Sequence, residues 1–198
     1  AYDKEPVLKN ADFEMKRGEF IAISGLSGIG KSTFLKLILG IIHPDTGEAH
    51  VYAENENKNV FAYVPQGNLI LSGTIRENIA FYSPLDDEKI KEAAQIADIY
   101  DFVETLPNGF DTVLGEKGLG LSEGQVQRIA IARAVYSGAE FLILDECTSA
   151  LDEETEAQVL KNLKNQKNKS CIIVSHKKAA LDICEKLIKI ENKQIFVS

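Results

Sequence analysis

Gly25-Leu26-Ser27-Gly28-Ile29-Gly30-Lys31-Ser32-Thr33 sets glycines, a lysine and hydroxyls at a spacing suited to a chain of phosphates. The run fits G-x-x-x-x-G-K-[ST], the pattern of a phosphate-binding loop. Glycines let successive backbone N–H groups turn toward one anion, and a helix that starts directly after them points its positive end at the same place. In such a loop Lys31 reaches the β- and γ-phosphates and Ser32 offers its hydroxyl to Mg²⁺, while Ser27, Gly28, Ile29, Gly30 and Thr33 complete the binding stretch. The competing reading is a plain glycine turn with a surface lysine. The flanks weigh against it: the apolar run Phe20-Ile21-Ala22-Ile23-Ser24 precedes the loop as a buried strand, and Phe34-Leu35-Lys36-Leu37-Ile38-Leu39 follows at helical length until Gly40.

Two further clusters have chemical potential. Phe141-Leu142-Ile143-Leu144-Asp145-Glu146 is an apolar strand that ends in adjacent carboxylates. Beside a phosphate loop, the first could hold Mg²⁺ through its water shell and the second could orient or deprotonate a water that attacks the γ-phosphate. Leu121-Ser122-Glu123-Gly124-Gln125 stands directly before an apolar helical stretch at 126–136. Ser122 and Gln125 have capping-box spacing, so they could simply start that helix. A helix start with free N–H groups, a hydroxyl and a glycine is also an anion site.

These groups need elements to hold them. The strands at 20–24, 141–144 and 171–175 each end at a polar residue: Ser24, Asp145 and His176. Ligands of open α/β sheets gather at the carboxyl ends of parallel strands, so the three endings predict one site. Ile90, Ala93, Ala94 and Ala97 fall at helical spacing after a Pro84-Leu85-Asp86-Asp87 entry, and Val159, Leu160 and Leu163 mark another helix. Lys161, Lys164, Lys167 and Lys169 read as a solvated face with its loop. Pro6, Gly18 and the alternation of Phe13 and Met15 suggest hairpin structure before the first parallel strand. Val51-Tyr52 and 60–63 read as strands separated by a polar turn. The expected architecture is α/β: a parallel sheet of the P-loop NTPase type flanked by helices, with a small N-terminal antiparallel β layer and an inserted helical segment.

Bulk properties set the outer limits. With 198 residues and 44% apolar content the chain can bury a full core, and a formal charge of −8 argues against general nucleic-acid binding. Its longest apolar stretch, 34–42, is too short to span a bilayer. Cys147, Cys171 and Cys184 lack metal-ligand spacing, which makes a reducing compartment the simplest reading. The chain opens at Ala1, close to its first recognisable element, and reads as an excised part of a longer polypeptide.

In order and spacing these motifs resemble the nucleotide-binding domain of an ATP-binding cassette (ABC) transporter, over essentially the whole length. Leu121–Gln125 stands where that family has Leu-Ser-Gly-Gly-Gln, with Glu123 as the departure. The resemblance implies that Ser122, Gly124 and Gln125 contact a nucleotide bound by a second, identical or related cassette. It also implies that Gln66 contacts Mg²⁺ or the attacking water and that Ser149-Ala150-Leu151-Asp152 lies across a dimer interface. Asp145 and Ser32 would join Gln66 at the metal, Glu146 would act as base with Lys31 and Gln66 assisting, His176 would contact the γ-phosphate, and Tyr2 would stack on adenine. Thr112–Gly118 and Gly67–Ile79 are similar to exporter segments. That similarity implies ATP-driven export, a cassette core at 1–66 and 116–198, and a helical subdomain at about 67–115 that docks on transmembrane domains at the cytoplasmic face of a membrane, with no nucleic acid as partner. The 47–63 segment is shorter than is usual for exporters. A regulatory cassette with little turnover and a non-transport ABC ATPase are the alternatives; retention of Ser122, Glu146 and His176 weighs against the first.

Overall fold

A computed structural model describes residues 6–51, 60–67, 70–115, 120–166 and 169–198. In chain order these form β1 (Phe20–Ser24), α1 (Lys31–Ile38), β2 (Phe61–Val64), β3 (Gly73–Thr74), α2 (Ile75–Ala80), α3 (Asp87–Ile96), α4 (Tyr100–Thr105), β4 (Val113–Leu114), α5 (Glu123–Tyr136), β5 (Phe141–Asp145), α6 (Glu153–Lys164), β6 (Ser170–Val174), α7 (Lys178–Ile183), β7 (Lys186–Glu191) and β8 (Gln194–Val197).

The main sheet has the order β2-β5-β6-β1-β7-β8, parallel except for β8, which pairs antiparallel with β7. The continuous apolar composition of its central strands has a direct cause: both faces are covered. Along β5, Leu142 and Leu144 enter the core on one face and Ile143 the core on the other; along β6, Cys171 and Ile173 separate from Ile172 and Val174 in the same way. Side chains that alternate sides must all be apolar when neither side meets water. The fold class and the parallel strands follow the expectation from sequence, and the run at 60–63 proves to be a parallel strand, β2 on β5.

Antiparallel structure is present as expected, although residues 1–5 and 52–59, on which part of the expected N-terminal layer falls, lie outside the described residues. Among the described residues, 6–19 forms no strand, and Phe13 and Met15 instead lie against the apolar face that contains Phe34, Leu35 and Ile188. Their alternation is satisfied by packing on a finished sheet, with no ladder of its own. Antiparallel pairing occurs in β7–β8 and in the small β3–β4 sheet.

Helix α5 is buried along much of its length, because it is enclosed by the sheet on one side and by α2 and α3 on the other. Buried Asn78 on α2 donates to the carbonyls of Leu71 and Thr74 and accepts from Leu71 N–H, while Arg133 of α5 donates to the Asn78 carbonyl. These bonds tie Leu71 and Thr74 through Asn78 to α5. The lysine face is only partly solvated. Lys164 lies 4.4 Å from the Phe20 ring centroid and pairs with Glu185, and Lys169 donates to Ala139 O. Lys167 lies outside the described residues.

Candidate functional site

The carboxyl ends of β1, β2, β5 and β6 share one edge of the sheet, and the predicted groups follow them. Between β1 and α1 the loop turns back on itself: Gly30 caps α1 at φ 119°, and a Cβ there would come within 3.0 Å of Val7. Only glycine accepts both conditions without strain. Lys31, the first residue of α1, is nearly buried and donates to the carbonyls of Gly25 (2.7 Å) and Leu26 (3.1 Å), which holds its ammonium inside the mouth of the loop. Ser27, Gly28 and Ser32 are exposed there, with Ile29 and Thr33 half-buried.

Across the sheet edge, Asp145 ends β5 and Glu146 follows it. Glu146 adopts φ 51°, a left-handed conformation uncommon for a side chain of this length, and its N–H donates to Val174 O (3.0 Å) at the end of β6. The strand therefore stops in a bend that sets the two carboxylates on different courses. Gln66 Nε2 donates to Glu146 Oε2 at 2.9 Å. Tyr63 Oη donates to Asp145 Oδ2, also at 2.9 Å. Burial pushes the Asp145 carboxyl above its ordinary range, Glu146 adds to the rise, and the Tyr63 hydrogen bond and the Lys31 charge oppose it. Burial, with Asp145 beside it, pushes the Tyr63 phenol up to about 12, so it remains a donor throughout the neutral range. His176 is exposed just past β6.

Ser122 caps α5. Its Oγ accepts from Gln125 N–H (3.3 Å) and Gln125 Oε1 accepts from Ser122 N–H (2.8 Å), so the capping box read from the spacing is formed. Gly124 packs so closely on the next loop that a Cβ would meet Ala150 O at 3.2 Å. Buried Gln127, one turn on, donates to Ser149 Oγ and accepts from Ala150 N–H. From the other side Lys177, adjacent to His176, donates to Thr148 O (2.8 Å) and Leu151 O (2.6 Å) and lies 3.6 Å from the buried Glu156, which accepts from Thr148 Oγ1. The 148–152 loop is thus clamped between the start of α5 and the end of β6. Tyr2 lies outside the described residues.

Lys31, Gln66, Asp145, Glu146 and His176 therefore converge on one sheet edge, while Ser122, Gly124 and Gln125 belong to the start of α5. Tyr63, Gln127, Glu156 and Lys177 escaped the reading by motif. Nearness in the chain is the one available signal, Tyr63 three residues before Gln66 and Lys177 next to His176; Glu156 looks like one of several acids in a solvated first turn.

The donor set fits Mg²⁺. Ser32, Asp145 and Gln66 offer hard oxygens, and among the described residues no group of His, Cys, Asp and Glu could enclose a metal unaided. Mg²⁺ is held in this way, by one or two protein groups together with phosphate oxygens and water.

The sequence profile of the family described as "ABC transporter" matches residues 8–149. The chain belongs to the ABC transporter family. Within it, the chain is similar to a probable ABC transporter ATP-binding/permease protein of Haemophilus influenzae, 41% identical over 201 residues, covering 97% of this chain and 36% of that protein. A putative multidrug export ATP-binding/permease protein of Staphylococcus aureus is 37% identical over 202 residues, covering 98% of this chain and 35% of that protein. The fold matches a bacterial Atm1-family ABC exporter solved with ATP bound, with TM-score 0.87 and 31% identity over 99% of this chain and 36% of that one. This ABC domain spans little more than a third of the curated relatives it matches.

Proposed function

We propose that this ABC domain binds and hydrolyses ATP at a head-to-tail interface with a second cassette, and that hydrolysis powers export by an attached membrane part. The observation that carries the reading is the convergence of Lys31, Gln66, Asp145, Glu146 and His176 on one edge, with a phosphate loop at its centre. Lys31 and the loop N–H groups hold the phosphate chain, and Glu146 takes a proton from the attacking water. The water oxygen forms its bond to the γ-phosphorus as the bond to the ADP oxygen breaks. His176 steadies the charge on the transferred group. Ser32, Asp145 and Gln66 would hold Mg²⁺, which when bound neutralises charge on the phosphates. Ser122, Gly124 and Gln125 would meet the partner's nucleotide with the positive start of α5.

We assign docking of the membrane part, at the cytoplasmic face, to the 67–115 subdomain. A cleft of about 350 Å³ bordered by Leu71, Asn78, Phe81 and Tyr82 lies there, with Phe81 37% and Tyr82 91% exposed. Exposed aromatics beside a cleft mark a surface that gains from being covered. The ATP-binding and permease halves named together in the curated relatives support this assembly. Glu146→Gln is expected to keep ATP binding and to lower steady-state phosphate release by about 100-fold or more, with closed dimers accumulating in size-exclusion chromatography with ATP. Unchanged phosphate release would remove Glu146 as the base.

A further inference from the structure

β2 and β5 are joined beyond their ladder by two side-chain rungs, Gln66 to Glu146 and Tyr63 to Asp145, each 2.9 Å long. The first joins two groups proposed to act on the attacking water; the second has no assigned role. We propose that Tyr63 is a positioning residue for the metal carboxylate: its hydroxyl holds Asp145 Oδ2 so that Oδ1 is left to serve Mg²⁺ bound with the nucleotide. This rests on the assignment of Asp145 to the metal.

The geometry behind it is a matter of register. Tyr63 pairs directly with Ile143, so both side chains leave the same face of the sheet, and Asp145 is the next residue of β5 on that face. The diagonal distance from a residue to the neighbour two places along the opposite strand is within reach of an aromatic side chain. Gln66 sits in a turn beyond the end of β2, whereas Tyr63 lies within the strand and is fixed by backbone pairing on its β5 side. The Tyr63 rung is therefore the rigid one of the two.

The choice of a phenol also matters. A lysine or arginine in this place would neutralise the charge that attracts the cation. A neutral donor orients the carboxylate and leaves its charge in place, which is how partners behind a metal ligand usually act. Holding one oxygen also removes the rotamer freedom that Asp145 would otherwise lose when metal binds.

Binding of a fluorescent ATP analogue, followed by anisotropy in EDTA and across a Mg²⁺ titration, tests the idea without reference to turnover. Tyr63→Phe keeps the ring and removes the donor. It is expected to leave metal-free binding unchanged and to raise the Mg²⁺ concentration for half-maximal effect by about 3- to 10-fold. In an Asp145→Asn background the same change should have no further effect, because the two act through one bond. An unchanged Mg²⁺ titration overturns the proposal. Equal weakening with and without metal also overturns it, since that pattern belongs to a packing role. If the unsubstituted chain gains no affinity from Mg²⁺, the assignment of Asp145 to the metal fails as well, and this outcome is visible before any Tyr63 variant is made.

Discussion

Glu146, proposed above as the base, would trade stability for chemistry. At φ 51° its backbone is in a region that costs a non-glycine residue about 1–2 kcal/mol. The bend turns the carboxylate away from the strand axis toward Gln66. Glycine would relieve the strain but raise the entropy of the unfolded chain. Glu146→Gly is therefore expected to keep stability within about 1 kcal/mol of the parent in urea unfolding, while phosphate release is abolished. A large loss of stability would mean that the side chain supports the fold, and the functional reading of the bend would not stand. Tyr63 makes the opposite case, a residue of ordinary backbone whose value lies in the atom it holds.

Between elements, the clamp on the 148–152 loop connects groups assigned to different nucleotides. The start of α5 would meet the partner's ATP, and Glu146 and His176 would serve the chain's own. Gln127 and Lys177 grip the same short loop from those two directions. Lys177 also faces Glu156, whose Oε2 is buried without a hydrogen bond. Lys177→Met removes the one cation paired with that carboxylate among the described residues and should cost about 2–4 kcal/mol in urea unfolding, somewhat below a fully buried pair because Lys177 is partly exposed. Adding Glu156→Gln should recover a good part of the loss. A double variant no more stable than Lys177→Met would place the effect in the lost carbonyl contacts rather than in the stranded charge.

For the molecule as a whole, the acidic composition predicts a direction of pH sensitivity. Burial works against the ionisation of Glu19 and Glu185, but Lys16 N–H and Lys186 outweigh it for the first, and Lys164 and Phe20 N–H for the second, so both titrate below their ordinary value of 4.5. Helix-start hydrogen bonds do the same at Glu77, Asp86 and Asp152. For such groups the unfolded chain takes up protons first. Their stabilisation is complete above the ordinary carboxylate range and is lost as pH falls through the lowered folded values. Asp98 and Asp145, both raised chiefly by burial, act in the opposite sense, since protonation relieves them. The lowered groups are the more numerous, so Tm should fall steadily between about pH 5 and pH 3.5. A Tm that held or rose over that interval would show the two raised aspartates to dominate.

Much of this protein is written locally. The phosphate loop, the capping box at Ser122 and the carboxylates after an apolar strand depend on spacings within a few residues, and backbone geometry turns such spacings into structure without outside help. Strands buried on both faces are legible for the same reason, since their composition has to be continuously apolar. Phe13 and Met15 alternate as a strand would, yet without a strand of their own their positions answer to a face built from β1, α1 and β7. Tyr63 and Asp145 are 82 positions apart in the chain, and Lys177 and Thr148 are 29 apart. Which of these side chains meet is decided by strand order and register, which no local spacing encodes. The sequence by itself determined the chemistry available along one sheet edge. The tertiary structure decided which oxygen of Asp145 is held, and by what.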